Sequence, residues 1–422
     1  MALHDETLDR DTVLHVLDDT VAALERDDIE VRTRACDALG VGSSDWRRCR
    51  DELLEDLLQA EDWLKREEAL AAHDDRLVDS DDGPDFIPSH QTLALLQSAM
   101  EERLQTLSSR AFQPGDPGWL SVVFHRLRAR VRGKAPFVEH ATLDDFVIDL
   151  PARGTIALVS DWGTANAHAV AVAQQIAARA PDHVIHLGDI YYSGTPGEVD
   201  RHFLDVWRAY GPRSSRYWSL NANHEMYSGG YGYFQHLLPA FGQPASYFAL
   251  ANRWWRLVGL DTGYVTQTFT TPQMAWLDAQ LTGAGLAASR DTAAARNVLL
   301  THHNLLSQFR KRGDALEEWL DPHIAAGRIY GWFWGHEHHL VQYAPYRGMK
   351  CRCIGHGALP YLPPDQVRVR EAVAVERMET RELPHTPGRG MHGFALLSFD
   401  GPTLHVEYVD ETGGTAWTER WD

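Results

Sequence analysis

The segment GWFWGHEHHLV, residues 331–341, places three histidines within four positions directly behind a run of aromatic side chains. These histidines are His336, His338 and His339. Imidazole nitrogen is a common ligand of first-row transition metals. A histidine cluster behind an apolar run also occurs as a hydrogen-bonded turn that closes a buried strand. The segment alone fits both interpretations, so the choice depends on the rest of the chain.

Four other apolar runs end in the same types of polar residue. These runs are IALVS before Asp161, HVIHLG before Asp189, YWSLNA before Asn223 and His224, and VLLT before His302 and His303. Because the carboxyl ends of strands converge on one crevice in open α/β sheets, we expect the five strand ends to lie together. Carboxylate, amide and imidazole donors without thiolate suit first-row metals. Two ions that share a bridging carboxylate would use this many ligands and would serve phosphoryl hydrolysis.

The apolar runs also predict an α/β, or α+β layered, core. From about residue 155, short apolar strands alternate with helical segments such as ANAHAVAVAQQIAARA, and from about residue 350 the pattern returns to strands with a DG turn. Residues 1–135 are acidic, and their apolar residues recur at spacings of three and four, which predicts a small helix bundle. We therefore predict an N-terminal helical domain at 1–135 and a catalytic domain at 150–422 that ends in β-strands.

The charge of the chain bears on the kind of partner it can bind. A formal net charge of -19 argues against unaided binding to nucleic acid. One segment, WLSVVFHRLRARVRGK, is basic, with charges at Arg126, Arg128, Arg130, Arg132 and Lys134. These side chains either face solvent and the acidic bundle or form a surface for a phosphate-bearing substrate or partner.

The sequence offers no sign of membrane insertion or export. The first residues, MALHDETLDRDTVLHVLDD, lack a basic stretch followed by an apolar run, and no window approaches 18 uninterrupted apolar residues. We therefore expect neither a signal peptide nor a membrane span, and a cytoplasmic location.

Five short blocks of the chain, taken together, resemble those of the calcineurin-like metallophosphoesterases, and within that family the purple acid phosphatase branch. The blocks are DWG at 161–163, GDIYY at 188–192, NHE at 223–225, LLTHH at 299–303 and GHEH at 335–338. The resemblance covers about residues 154–360. It implies a two-sheet β-sandwich core flanked by helices, and hydrolysis of phosphate esters by a metal-activated hydroxide.

The resemblance also implies the ligands of two ions. Asp161, Asp189, Tyr192 and His338 would hold the first ion, with Asp189 bridging, and Asn223, His302 and His336 would complete the second. A phenol binds as phenolate only to a strongly acidic ion, so Tyr192 points to Fe(III) paired with a divalent Fe, Zn or Mn. If Tyr192 is a packed tyrosine instead, two divalent ions such as Mn are expected. Tyr191 lies one residue out of register and is expected in the core.

Further residues are candidates for catalysis and substrate contacts. His224 resembles the family's histidine that contacts the phosphate and protonates or stabilises the leaving oxygen, and Glu225 is expected to orient it. Weaker candidates for substrate contacts are Tyr227 for stacking, Arg310 for a second phosphate, His303 beside His302, and His356 after the last predicted strand of the sheet.

The expected activity is hydrolysis of a small phosphate monoester. A phosphodiesterase acting on cyclic or dinucleotide substrates is the close alternative. A metal-bearing interaction scaffold with a regulatory helical domain is the alternative from another class, although the retention of His224 beside a full ligand set argues against it. Two roles stay open for the N-terminal helices, namely contact with a partner protein or coverage of the catalytic crevice.

Overall fold

A computed structural model describes residues 10–27, 29–71, 90–106, 133–286, 295–367 and 369–422. Its helices are α1 (Arg10–Arg26), α2 (Ile29–Leu39), α3 (Trp46–Ala71), α4 (Gln91–Thr106), α5 (Ala167–Arg179), α6 (Pro196–Glu198), α7 (Asp205–Tyr210), α8 (Asn223–Tyr227), α9 (Leu238–Phe241), α10 (Thr271–Thr282) and α11 (Asp314–Ala325). Two π-helical stretches, Val199–Leu204 and Tyr233–Leu237, precede α7 and α9, and a 3₁₀ turn spans Pro364–Gln366.

The strands begin after α4 and alternate with helices until α11, and the chain after α11 consists mainly of strands. They are β1 (Val147–Asp149), β2 (Arg153–Val159), β3 (His183–His186), β4 (Arg216–Ser219), β5 (Phe248–Ala251), β6 (Trp255–Gly259), β7 (Arg296–Thr301), β8 (Ile329–Trp334), β9 (Leu340–Tyr343), β10 (Lys350–Ile354), β11 (Val375–Met378), β12 (Glu382–Leu383), β13 (Thr386–Gly390), β14 (Gly393–Asp400), β15 (Thr403–Asp410) and β16 (Thr415–Trp421).

Among the described residues, the strands form two large sheets and one small hairpin. One sheet has the order β1-β5-β6-β7-β8-β10-β9-β11, the other has the order β16-β15-β14-β2-β3-β4, and β12 pairs with β13. Strands β2, β3 and β4 run parallel to one another, as do β6, β7 and β8. Their carboxyl ends therefore point in a common direction within each sheet, which is the condition for a shared site.

The two sheets pack face to face over a common apolar core. On β2, Ile156 and Leu158 belong to the cluster between the sheets, whereas Ala157 and Val159 belong to the cluster on the helix side. This alternation follows from the period of two in a strand. The inner cluster also contains Leu257 from the eight-stranded sheet. The predicted two-sheet sandwich flanked by helices is therefore confirmed.

Helix α5 covers the outer face of the six-stranded sheet directly after the loop of Asp161. The side chain of Asn166 caps its start, since Oδ1 accepts a hydrogen bond from Ala169 N–H at 2.8 Å. The helix buries Ala169, Val172, Ala173 and Ile176, which recur at helical spacing. The residue after its last turn, Ala180, caps the helix in a left-handed conformation with φ of 46°. The first turn of this helix is thereby fixed against the sheet.

The described N-terminal residues are helical, as predicted. Helices α1, α3 and α4 contact one another and share an apolar cluster that includes Leu17, Leu57 and Leu96. The basic residues Arg126, Arg128, Arg130 and Arg132 lie outside the described residues. The division into domains at 1–135 and 150–422 stays a prediction. No helix of the described chain is long and apolar enough to cross a membrane.

Candidate metal centre

The five predicted strand ends meet at one edge of the sandwich, and both sheets contribute. Asp161 and Asp189 follow β2 and β3 of the six-stranded sheet, while His302 and His336 follow β7 and β8 of the other sheet. Across the gap between the sheets, His302 Nε2 lies 3.4 Å from Asp189 Oδ2. The backbone N–H of His336 donates to Asp161 Oδ2 at 3.0 Å. The site is thus assembled where the two layers come together.

Asp161, Asp189 and His338 form one potential ligand group. Each offers an atom within 4.8 Å of the others, and all three side chains are buried. Nε2 of His338 lies 3.6 Å from Asp161 Oδ1. This group contains three of the four ligands predicted for the first ion.

Asn223, His302 and His336 form a second group beside the first. Nε2 of His302 lies 3.1 Å from Asn223 Oδ1 and 3.2 Å from His336 Nδ1. His303 belongs to the same histidine cluster, and its Nδ1 lies 2.8 Å from the hydroxyl of Thr262. The three residues predicted for the second ion therefore lie together, and their role as ligands stays a prediction.

The backbone at these residues is strained. Asp161, Asp189 and His336 have φ values of 54°, 77° and 64°, a region that residues with a Cβ seldom adopt. Such strain persists where the surroundings hold it in place, and it concentrates at functional sites. A Cβ on Gly163, in the loop after β2, would lie 2.8 Å from the Cα of Ile190. Any side chain at position 163 would therefore require the backbone of residue 190 to move.

Tyr191, which we expected in the core, is the tyrosine whose hydroxyl contacts the carboxylates. Its OH lies 3.2 Å from Asp161 Oδ1 and 3.1 Å from Asp189 Oδ2. The reason is strand-like alternation past the end of β3: Ile190 pairs with Gly163 and joins the helix-side core, which turns Tyr191 to the same side as Asp189.

Tyr192, the predicted phenolate ligand, meets the site through its backbone. Its N–H donates to Glu198 Oε1 at 2.9 Å, and its carbonyl accepts a hydrogen bond from His224 Nδ1. Its side chain packs in an apolar cluster with Ala94 and Leu359. Tyr191, which belongs to the same cluster, donates hydrogen bonds to both carboxylates, and the role of Tyr192 as a ligand stays a prediction.

The electrostatics of the centre suit bound cations. Burial, and then the charge of Asp189, raise the pKa of Asp161 well above its ordinary value. Burial raises the pKa of Asp189 to about 7. Burial lowers the pKa of His302 and of His338 well below the ordinary value, so both rings are neutral. Two buried carboxylates beside neutral imidazoles fit a metal centre.

His224 and Glu225 lie behind the carboxylates. The His224 N–H donates to Asp189 Oδ1 at 3.3 Å, and Nε2 lies 3.9 Å from Asp189 Oδ2. Burial lowers the pKa of His224 to about 4, against the opposing effect of the hydrogen bond to the Tyr192 carbonyl. Glu225 accepts a hydrogen bond from the Asp189 N–H at 3.3 Å. Glu225 therefore orients the Asp189 backbone, whereas we expected it to orient His224.

A cavity of about 620 Å³ opens over the centre. Asn223, His303 and His336 of the centre line it, as do Tyr227 and Arg310. Its other lining residues are Asp56, Gln59, Trp63, His90, Gln91, Thr92, Lys134, Met226, Gly263, Thr266, Gln267, Lys311 and Arg370. The cavity has the size of a typical small-molecule site, and three of the four weaker substrate candidates, Tyr227, His303 and Arg310, line it.

His356 faces away from this cavity. A Cβ on Gly393 would lie 3.0 Å from its Nε2, and the charges that affect its pKa are those of Glu379, Arg381 and Asp410. These residues belong to the C-terminal strands and the segment before them. His356 is not among the residues that line this cavity, and its contact with substrate stays a prediction.

Helix α4 of the N-terminal region makes hydrogen bonds to segments that flank the metal centre, which the sequence did not indicate. The Ser98 hydroxyl donates to Glu198 Oε1 at 2.6 Å, and Glu198 also accepts from the N–H of Tyr192. Gln91 Nε2 donates to the carbonyl of Tyr227 at 2.9 Å. Residues of α3 and α4, among them Trp63 and Gln91, also line the cavity. Such contacts join residues about a hundred positions apart, and no local pattern reports them.

Three solved structures are similar to part of this chain. GAP50, the anchor in the inner membrane complex of Plasmodium, is 12% identical with a TM-score of 0.48, over 64% of this chain and 89% of its own. Purple acid phosphatase PPD1 from yellow lupin is 16% identical with a TM-score of 0.45, over 64% of this chain and 54% of its own. A dimetal phosphatase from Danio rerio is 14% identical with a TM-score of 0.42, over 63% of this chain and 98% of its own.

The chain has no significant match among curated protein sequences. The family model of the calcineurin-like phosphoesterases matches residues 154–340. All five sequence blocks, from DWG at 161–163 to GHEH at 335–338, fall within the matched residues. Residues 154–340 of this chain therefore form a calcineurin-like phosphoesterase domain.

Proposed function

We propose that this chain is a dinuclear metal-dependent phosphohydrolase that cleaves phosphate monoesters of small molecules. The observation that carries the proposal is the convergence of Asp161, Asp189, His302, His336 and His338 from both sheets beside a cavity that His336 lines. Iron(III) with a divalent Fe, Zn or Mn is the proposed pair, with two Mn as the alternative, because a tyrosine hydroxyl lies at the carboxylates.

The residues that would hold the ions are those of the two groups, together with Tyr191. Asp161, Asp189 and His338 would bind one ion, and Asn223, His302 and His336 the other. Ions bound there supply positive charge that polarises the phosphate and lowers the pKa of a water molecule. The buried carboxylates and the Glu225 carboxylate hold this arrangement rigid, since Glu225 fixes the backbone of Asp189.

His224 is the proposed general acid. The carbonyl of Tyr192 only accepts hydrogen bonds, so the Nδ1 atom of His224 carries a proton and Nε2 is the atom that exchanges one. A phosphate dianion beside the ring favours the imidazolium and raises its pKa from the low value that burial gives. As the ester P–O bond breaks, the leaving oxygen takes the Nε2 proton, and the attacking water returns a proton to the ring.

Positively charged side chains are among the residues that line the cavity. Arg310 contributes, after burial, to the lowered pKa of His336 and of His338, which reports a guanidinium charge close to the centre. Lys134, Lys311 and Arg370 line the same cavity. This positive lining suits a substrate with more negative charge than a single diester, and therefore favours a monoester dianion or a substrate with a second anionic group.

Phosphodiester hydrolysis is a second candidate, favoured by one observation. The cavity of about 620 Å³ has room for groups on both sides of a phosphorus atom. Trp63 and His90 line it, and their ring centroids lie 6.0 Å apart, which offers aromatic surface to a nucleobase.

The proposal is tested with metal-stripped protein that is reloaded with iron, zinc or manganese salts. We expect hydrolysis of p-nitrophenyl phosphate to return with metal, and kcat/KM to exceed that for bis(p-nitrophenyl) phosphate. His224→Ala should lower kcat by about 10²–10⁴-fold, whereas the exposed His385→Ala should not change it. Absence of hydrolysis of either ester under every metal would contradict the proposal, and preference for the diester would favour the second candidate.

A further inference from the structure

A second cluster of potential metal-binding side chains lies outside the cavity lining and outside the two proposed catalytic ligand groups. His168 lies in the first turn of α5, His392 directly precedes β14, and Glu411 lies in the turn between β15 and β16. Each offers a potential ligand atom within 4.8 Å of the others. The three residues come from three separate parts of the chain, and none of them is a proposed ligand of the two catalytic ions.

The geometry of the cluster is compact. Nδ1 of His168 lies 2.8 Å from Glu411 Oε2, and the ring centroids of His168 and His392 lie 4.5 Å apart. The backbone N–H of Glu411 donates to the carbonyl of His392 at 2.9 Å. The turn that carries Glu411 is therefore fixed against the segment that carries His392, and the cluster does not depend on freely moving side chains.

His392 is the residue that an ordinary ion pair leaves unexplained. Its side chain is fully buried, and neither of its two ring nitrogens has a hydrogen-bond partner. A buried polar group without a partner is unfavourable, and such groups in folded proteins call for a ligand, a water molecule or an ion. The pair of His168 with Glu411 accounts for the 2.8 Å contact but gives His392 no partner.

Burial gives His392 the protonation state that a metal ligand needs. Its pKa is lowered well below the ordinary value by burial and then by the neighbouring His168 and His356. The ring is therefore neutral and presents a nitrogen lone pair. The His168 side chain is 28% exposed and that of Glu411 is 11% exposed, so an ion can reach the cluster from solvent.

We propose that His168, His392 and Glu411 form an additional metal site for a single zinc ion or a chemically similar divalent cation. Two imidazoles and one carboxylate are a ligand set that Zn²⁺ accepts, with one coordination position left for water. The ion would join the first turn of α5 to the C-terminal β14–β16 strands. Since α5 follows the loop of Asp161, the site would fix the outer side of the segment that carries this catalytic aspartate.

Metal binding at the additional site can be measured separately from metal binding at the catalytic centre. The Asp161→Ala, His302→Ala double variant removes one proposed ligand of each catalytic ion and leaves the three residues of the additional site intact. We expect this double variant, stripped of metal and titrated with Zn²⁺ alone, to bind one ion per chain by native mass spectrometry. Adding Glu411→Gln or His392→Gln should lower the affinity of that remaining ion at least about tenfold.

A histidine outside the cluster serves as the control. His405→Ala changes an exposed histidine of β15 and should leave Zn²⁺ binding unchanged. In the otherwise unchanged chain, Glu411→Gln should abolish the rise in thermal unfolding temperature that the additional Zn²⁺ gives, while p-nitrophenyl phosphate hydrolysis by metal-loaded protein continues. If the double variant bound no Zn²⁺, or bound it equally with and without Glu411→Gln and His392→Gln, the proposed site would be refuted.

Discussion

The hydroxyl of Ser98 donates a hydrogen bond of 2.6 Å to the carboxylate of Glu198. Ser98 belongs to helix α4 near the N-terminus, whereas Glu198 accepts hydrogen bonds from the backbone of the loop that carries Tyr191 and Tyr192. This contact connects the helical region directly to the loop of the metal centre. Of the two roles left open by the sequence, the geometry favours coverage of the crevice by these helices.

Removing this hydroxyl should weaken the attachment of α4. In Ser98→Ala, Glu198 loses a donor in a buried position, and hydrogen bonds to charged groups contribute about 1.5–3 kcal/mol. We expect the free energy of unfolding to fall by about that amount in urea denaturation. Ser214→Ala, at an exposed serine, should change it by less than about 0.5 kcal/mol. Equal stability of the two variants would mean that the contact contributes nothing.

We predict opposite effects for removing the hydroxyl of Tyr191 and that of Tyr192. Tyr191→Phe removes the hydroxyl that lies 3.1 Å from Asp189 and 3.2 Å from Asp161. We expect it to lower metal affinity or kcat by about 10–100-fold and, in an iron-loaded protein, to abolish any visible tyrosinate absorption. Tyr192→Phe keeps the backbone contacts with Glu198 and His224 and should preserve both properties. The reverse pattern would restore the assignment made from the sequence.

Arg310 should be needed for substrate binding rather than for metal binding. It lines the cavity beside His336, and its charge acts on the histidines of the centre. We expect Arg310→Ala to raise KM for p-nitrophenyl phosphate by about tenfold, the loss of one charge-assisted contact to phosphate, with unchanged metal content. Arg347→Ala is the matched control, because Arg347 pairs with Asp321 and does not line the cavity. An unchanged KM would place the phosphate elsewhere.

A buried ion pair between the two sheets gives a pH-dependent prediction. Arg352 of β10 donates to Glu419 of β16 at 2.7 Å, and its side chain is 3% exposed. Burial alone would raise the pKa of Glu419, but the hydrogen bonds and charge of Arg352 hold it below the ordinary value of 4.5. The pair therefore stabilises the fold fully above about pH 4.5, and this contribution is lost as pH falls through the lowered pKa.

The same pair should show a large effect on substitution. Glu419→Gln leaves the buried guanidinium without its counter-charge, and we expect a loss of about 3–5 kcal/mol in the free energy of unfolding at pH 7. Asp400→Asn breaks the exposed pair with Arg153, also 2.7 Å long, and should cost less than about 1 kcal/mol. The difference between the variants should shrink below pH 4.5. A constant difference would show that the charge on Glu419 is not its source.

Much of the fold was accessible from the sequence because its signals are local. The apolar runs of β2, β3, β7 and β8 are buried strands, and the polar residue after each run lies at a carboxyl end that faces the same crevice. The apolar runs did not reveal which strand belongs to which of the two sheets. Strand pairing is a long-range property, and β14 inserts beside β2 from the far end of the chain.

The details that the sequence could not give depend on register and side-chain direction. Counting three residues from Asp189 selected Tyr192, whereas the pairing of Ile190 with Gly163 turns Tyr191 toward the carboxylates. His356 follows the end of a sheet strand as expected, but its ring faces Gly393. Neither direction is encoded in the identity of the residue itself. Both are set by which strand lies alongside.

The central claim is that these side chains hold two neighbouring ions, and diffraction at the manganese absorption edge from crystals soaked in Mn²⁺ tests it most directly. We predict two anomalous peaks about 3.5–4 Å apart, one beside Asp161 and His338 and one beside His302 and His336. The carboxylate of Asp189 should contact both. A single peak, or no peak among these residues, would contradict the account.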